Sequence, residues 1–408
     1  MNSEHLEFFK LFQKTYLTNC IYRFPLDLEF RKGSVYLIKV QRPFDKSWSI
    51  CVLVILFSII FCISWAILIV RGEGVGNQYW MDIRILLWFG MLVIAICEGV
   101  VYHETVVKNR DLVIYSCKEM VDYERKLKQE LRKKFKILPR LFPGSNWVIN
   151  LLKVDTLVGF LFTPVAVFIL ILLEYDPPVF IIRKPIIPPW SGNNFLYTLI
   201  ETLYRFIIAN LAAYELERLI LYSIVLAIIQ LMTLSSIIFS IMALLKTSTD
   251  RGINRIHISR YRVAQLLFGV GADLAQKIAL VATTSLGLYI VLCNYAVVKM
   301  HSLILPVILV GFIVAEVTGL TVLQTVWDMA VLYPKLSGNL LTKFKNAFSF
   351  RGNIIEARKE QMKMLRSLRP IVVPVGVGGI KFVHVAIPTK VQMYEILLDL
   401  TFQAVLTF

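Results

Sequence analysis

The chain has 408 residues, 57% of them hydrophobic, and a mean hydropathy of +0.66. Soluble domains are about 45–50% apolar, so an ordinary soluble enzyme or binding module is excluded. The formal net charge is +16, but the basic residues fall between apolar runs with no recognition motif beside them, which excludes nucleic acid as the partner.

Residues 1–47 are mixed and charged. The first long apolar run begins near Trp48, too far along for a cleavable signal peptide, so it is expected to act as its own insertion signal. About 20 apolar residues cross the hydrocarbon core, and seven such spans are predicted: about 47–70, 84–102, 156–173, 219–245, 278–298, 302–326 and 389–408. The last is the most polar, holding Lys390, Glu395 and Asp399. The expected class is an all-α integral membrane protein forming a single seven-helix transmembrane domain.

Charge orients the spans. Segments 1–47, 103–155, 246–277 and 327–391 carry 37 of the 44 Lys and Arg residues, against seven on the opposite side. Cytoplasmic loops collect basic residues, so the N-terminus is expected inside and, after seven crossings, the C-terminus outside. None of the six cysteines falls in a predicted outer segment, so no disulfide framework is expected.

On the inner side, 118–136 has helical charge spacing, including Glu124–Lys128 at i,i+4, and reads as an inward extension of the second span. Segment 356–369 (EARKEQMKMLRSLR) reads as a second amphipathic helix ended by Pro370. A solvated or membrane-surface role fits both. The 374–379 stretch (PVGVGG) reads as a flexible turn. The expected outer segment, 174–218, opens with Asp176-Pro177-Pro178 and contains Pro185, Pro188, Pro189 and Trp190, which forbid regular structure there. Residues 195–218 recover helical periodicity and could lengthen the fourth span outward.

Chemistry is sparse. The five histidines lie far apart without ligand spacing, so no metal site is expected, and no P-loop, GxSxG or kinase signature appears. No enzymatic activity and no cofactor are expected. Acids inside spans usually face a bundle interior or a water path. Glu98 and Glu316 fit either internal pairing or a transporter's midplane site. On the last span Ile396, Asp399, Gln403 and Leu406 or Thr407 share a face, which suits a pore wall or a polar helix interface. Trp88, Phe168, Tyr214, Tyr222, Tyr289, Asn294 and Tyr295 gather in the predicted outer halves. That set suits a small-ligand pocket, or an interfacial aromatic belt.

Seven spans with the N-terminus inside is the reverse of the G-protein-coupled receptor plan. The layout resembles the arthropod odorant and gustatory receptor superfamily over most of the chain: length near 400, a long outer segment before the fourth span, and a short outer turn between the fifth and sixth. Locally, Met364-Leu365-Arg366-Ser367-Leu368-Arg369-Pro370, a turn through Gly376–Gly379, Phe382 and a final helix look like the odorant-receptor tail. The final Thr401-Phe402-Gln403-Ala404-Val405-Leu406-Thr407-Phe408 departs from the gustatory pattern of Thr-Tyr, an apolar run and Gln-Phe.

The resemblance implies a multi-pass plasma-membrane receptor subunit acting as a ligand-gated, non-selective cation channel. It implies a homo- or hetero-tetramer, with or without a co-receptor subunit, embedded in the lipid bilayer and binding a small organic ligand. Carried over by position, Glu356–Arg369 would anchor the subunits. Asp399, Gln403, Val405 and Thr407 would line the pore, with Val405 as an apolar gate. A secondary transporter using Glu98 and Glu316 is the rival, against which no inverted repeat is visible.

Overall fold

The computed structural model describes residues 3–18, 24–31, 33–40, 45–73, 82–134, 146–179, 195–246, 253–349, 363–377 and 380–407. The helices are α1 (Ser3–Phe12), α2 (Asp45–Glu73), α3 (Ile83–Tyr102), α4 (Arg110–Lys134), α5 (Asn146–Leu172), α6 (Phe195–Lys246), α7 (Ile253–Val270), α8 (Ala272–Lys299), α9 (Pro306–Ser349) and α10 (Ile387–Thr407). Six of them (α2, α3, α5, α6, α8 and α9) contain stretches long and apolar enough to cross a membrane. This is a multi-pass, helical membrane protein, as expected. α10 has 21 residues, about 31 Å at 1.5 Å per residue, with Lys390, Glu395 and Asp399 among them.

The fold has two levels. At one, α2, α3, α5, α8 and the first half of α6 present apolar side chains outward: Phe57, Phe61, Leu161, Phe162, Leu199 and Leu203 are all exposed. At the other, α4, α7, the second halves of α6 and α9, and the 365–385 tail bury a shared core. That core includes Met120, Leu127, Ile237, Ile241, Ile258, Tyr261, Trp327, Tyr333, Phe344, Leu368 and Val375.

α6 contains the whole of the expected fourth span, within a candidate crossing of Thr198–Leu245. The apolar run 219–245 was expected to be the fourth crossing, with 174–218 outside. In line with the helical periodicity of 195–218, α6 runs unbroken for 52 residues, about 78 Å, more than twice a bilayer core. Its first half lies along the α5 span: Phe206 meets Phe168 edge-on at 6.3 Å, and Tyr214 Oη donates to Phe160 O at 2.9 Å. The second half packs among α4, α7 and α9, where Leu234, Ile237, Ile238, Ile241 and Leu244 are buried by protein. Within the run 219–245, residues from Leu219 to Met232 are buried in the cluster shared with α2, α3 and α5, and those from Leu234 to Leu244 in the cluster shared with α4, α7 and α9. The proline-rich stretch 180–194 lies outside the described residues.

α3 passes through a π-helical stretch, His103–Lys108, before α4 begins. The Glu124–Lys128 pair forms on α4. Tyr123 Oη donates to Arg260 O at 2.9 Å, tying α4 to α7. Burial raises the Tyr123 phenol to about 12. Of the expected 356–369 helix, residues 356–362 lie outside the described set and 363–367 are helical.

Two hairpins were not anticipated. Leu26–Arg31 (β1) pairs antiparallel with Ser34–Lys39 (β2), and Gly33 turns between them at φ 78°, where a Cβ is disfavoured. β2 packs on α4, where Tyr36 Oη donates to Asp122 Oδ1 at 2.9 Å. Pro374–Val377 (β3) pairs with Ile380–His384 (β4), so the first part of PVGVGG is strand rather than flexible turn. β3 packs on the inner end of α8, where Gln276 Nε2 donates to Ile380 O at 2.6 Å.

The N-terminal helix is docked rather than free. Phe8, Phe9, Phe12 and Tyr16 are buried, and α1 packs along α5. His5 is buried beside them, and burial, assisted by the positive charge of Lys153, lowers its pKa from 6.5 to about 4. The fold therefore favours the neutral ring, and on acidification the unfolded chain takes up the proton first. The stability carried by neutral His5 is full above about pH 6.5 and declines toward pH 4, by on the order of 2 kcal/mol. Thermal melts across that range should show this loss, and His5→Phe should flatten it.

Candidate ligand site and pore helix

The aromatic and amide residues selected from the sequence do not form one pocket. Trp88 is buried on α3, and its Nε1 donates to Tyr175 O at 2.7 Å. Tyr175 follows α5 and packs in a cluster with Ile83, Leu86, Tyr295, Ala296, Met300 and Ile304. Trp88 and Tyr295 are thus linked through Tyr175, where the start of α3, the end of α5 and the end of α8 come together. Tyr295 is buried there, and its hydroxyl has no hydrogen-bond partner among the described residues. A buried hydroxyl without a partner is costly, and such a group supplies the polar contact that orients a small ligand in an apolar site.

The others lie elsewhere. Phe168 is exposed on α5. Tyr214 bonds the α5 backbone. Tyr222, expected in an outer half, meets Phe24 with tilted rings 4.8 Å apart, and Phe24 also meets Tyr102 at the C-terminal end of α3. Tyr289 is half-buried on α8 facing α9 at Gly319. Asn294 Nδ2 donates to Thr401 Oγ1 on α10 at 3.2 Å.

Sequence reasoning missed Tyr175, Met300 and Ile304. The signal for Tyr175 was its place directly after an apolar run. Its fixed position follows from the turn: Tyr175 N donates to Leu170 O at 2.8 Å, and Glu174 holds φ 58°. Removing the indole donor with Trp88→Phe should leave Tyr175 O buried and unsatisfied, lowering stability by about 1–2 kcal/mol; a detergent melt of the variant checks this.

The two rival acids do not converge on a shared site. Glu98 faces α6, where Ser223 Oγ donates to it at 2.7 Å. Glu316 is on α9 between the exposed residues Ile313 and Val317.

α10 runs parallel to α8. Leu397 and Met393 pack onto Gly287, where a Cβ would stand 3.1 Å from Leu397 Cδ2 and 3.3 Å from Met393 Cε. Further out, Thr401 meets Asn294, and Val405 O accepts from Lys299 Nζ at 3.2 Å. One face of α10 is thereby used. Asp399, Gln403 and Thr407 are exposed, and Val405 is half-buried against the outer cluster.

No family model matches the sequence, and no curated protein matches it. Solved structures do. The chain is similar to the insect olfactory receptor OR5 from Machilis hrabei in complex with eugenol, with TM-score 0.62 and 12% identity, covering 99% of this chain and 98% of that one. It is also similar to the same receptor solved alone, with TM-score 0.56 and 11% identity, covering 97% and 96%. At this identity the likeness concerns the path of the backbone, and over nearly its whole length the chain has the fold of an insect olfactory receptor.

Proposed function

We propose that this protein is a chemosensory receptor subunit that opens a non-selective cation pore when a small organic ligand binds, and that it is not an enzyme. The observation that carries this reading is the full-length fold likeness to an olfactory receptor solved with eugenol. In this reading the N-terminus is cytoplasmic, the C-terminus extracellular and the membrane the plasma membrane. Four subunits, identical or including a co-receptor, surround a pore lined by Asp399, Gln403, Val405 and Thr407 of α10.

The contacts supply a coupling route. Tyr295 faces the outer cluster, while the adjacent Asn294 holds Thr401 on α10. Ligand binding beside Trp88, Tyr175 and Tyr295 would shift α8, and α8 carries α10 with it through Asn294–Thr401, Gly287–Leu397 and Lys299–Val405. Polar side chains left exposed along α10 are satisfied by water in a pore and are costly against lipid. Whole-cell recording during a panel of volatile and soluble ligands tests the reading, with the chain expressed alone and with a co-receptor. A ligand-evoked cation current whose selectivity changes in Asp399→Asn and Gln403→Ala is the expected result. Absence of current under every pairing, with surface expression confirmed, would contradict it.

A further inference from the structure

The part of α6 beside α5 carries Glu201, Arg205, Glu215, Glu217 and Arg218. Arg205 pairs with Glu201 and with Asp176, and Arg218 with Glu215. Glu217 is different. It is half-buried against α5, where Thr163 Oγ1 lies 3.2 Å from its Oε2. Its carboxylate fills the space left by Gly159, since a Cβ there would meet Glu217 Oε1 at 1.6 Å. One helical turn from Gly159 is Asp155, another acid, near enough to repel Glu217. Among the described residues no Lys or Arg pairs with either carboxylate.

The third wall is aromatic. Tyr16 is fully buried, and its hydroxyl lies beside Glu217 without reaching hydrogen-bond geometry. Phe160 meets Tyr16 edge-on at 5.8 Å and Tyr214 at 5.5 Å. On α5, Val158 and Phe162 nearby are exposed on the outward-facing side.

Two like charges at membrane depth are unfavourable unless a cation or a proton joins them. Small hard metal cations take six or more oxygen ligands, which this aromatic-walled cleft does not offer. An ammonium group matches it: its N–H donors and charge suit the carboxylates, and aromatic faces attract organic cations. We propose that Asp155, Glu217, Tyr16 and Phe160 form a binding site for an organic ammonium group. Two sources share that chemistry: a protonated amine ligand, or the headgroup of an aminolipid whose chains lie against Val158 and Phe162. The site requires only that α5 and α6 lie in the bilayer, so its test is independent of the channel reading.

The test uses the full chain in nanodiscs of phosphatidylglycerol, which carries no ammonium group. Binding of 2-phenylethylamine and of its neutral analogue 2-phenylethanol is compared at pH 7, without recording current. The amine should bind at least about tenfold more tightly. Glu217→Gln and Asp155→Asn should each erase that preference. Competition by added phosphatidylethanolamine would support the site and assign it to a lipid headgroup; amine preference without such competition would support it and assign it to a soluble amine. Equal binding of amine and alcohol to the unmodified chain would overturn the proposal, since the acids would then be held by protons. That comparison needs no variant to fold. Amine preference persisting in both variants would overturn it equally.

Discussion

Arg205→Met is expected to lower the stability of the folded chain by about 3–5 kcal/mol, because it leaves Asp176 buried without the cation that grips it. Arg205 and Asp176 each expose 3% of their side chains, and Glu201 exposes 6%. The guanidinium grips both oxygens of Asp176, with Nε 2.8 Å from Oδ2, and reaches Glu201 Oε1 and Ile171 O at 3.3 Å each. It thereby fixes the turn after α5, the same turn whose Tyr175 carbonyl is held by Trp88. A detergent melt monitored by size-exclusion chromatography measures the loss. The double variant Arg205→Met, Asp176→Leu should recover part of it, because one uncompensated charge is gone. A single variant that melts like the parent would mean that the cluster is hydrated.

Phe344→Ala should cost about 3–5 kcal/mol, whereas Leu161→Ala should change stability by less than about 0.5 kcal/mol. Both remove large apolar side chains. Phe344 is fully buried in the inner bundle, edge-on to Tyr261 at 6.4 Å, while Leu161 is 64% exposed on the outward face of α5. Hydrocarbon replaces protein contacts at Leu161 with little change in environment. At Phe344 truncation leaves a cavity in a packed core. The contrast, read from melts of the two variants, separates the two levels of the fold.

The spans of α2, α3, α5 and α8 were legible because each is an apolar run of one bilayer's length. α6 is longer than its apolar run for a physical reason. A membrane core and a protein core select the same side chains, so the apolar run continues past the cluster shared with α2, α3 and α5 into Leu234–Leu244, which pack with α4, α7 and α9. The part level with α5 was disguised by five charges, most of them neutralised by partners three or four residues away or, for Arg205, by Asp176 beyond α5. Spacing reveals Glu201–Arg205 and Glu215–Arg218 once they are sought; Asp176 is legible only in three dimensions. The first hairpin had its signal, alternating Leu26, Leu28 and Phe30 against Val35 and Leu37 around Gly33, hidden in a segment read only by its charge.

The aromatic candidates were chosen by residue type and estimated depth. Depth along a helix is readable from sequence only when the helix ends where the membrane does. Tyr222 on α6 fails that condition and lies near the inner end of α3. Trp88 and Tyr295 satisfy it, and both contact Tyr175. On α10 the exposed Asp399, Gln403 and Thr407 follow from 3.6-residue periodicity, while the packing of Val405 toward α8 depends on register against Lys299.

The most direct measurement of the central claim, that α10 lines the ion path, is accessibility of Gln403→Cys to a membrane-impermeant cationic thiol reagent applied from outside during ligand-evoked current. The account predicts progressive block that is faster with ligand present and absent from the parent chain, whose own cysteines serve as the control. An unmodified current from Gln403→Cys, with Asp399→Cys equally unreactive, would place α10 away from the conducting path and contradict the account.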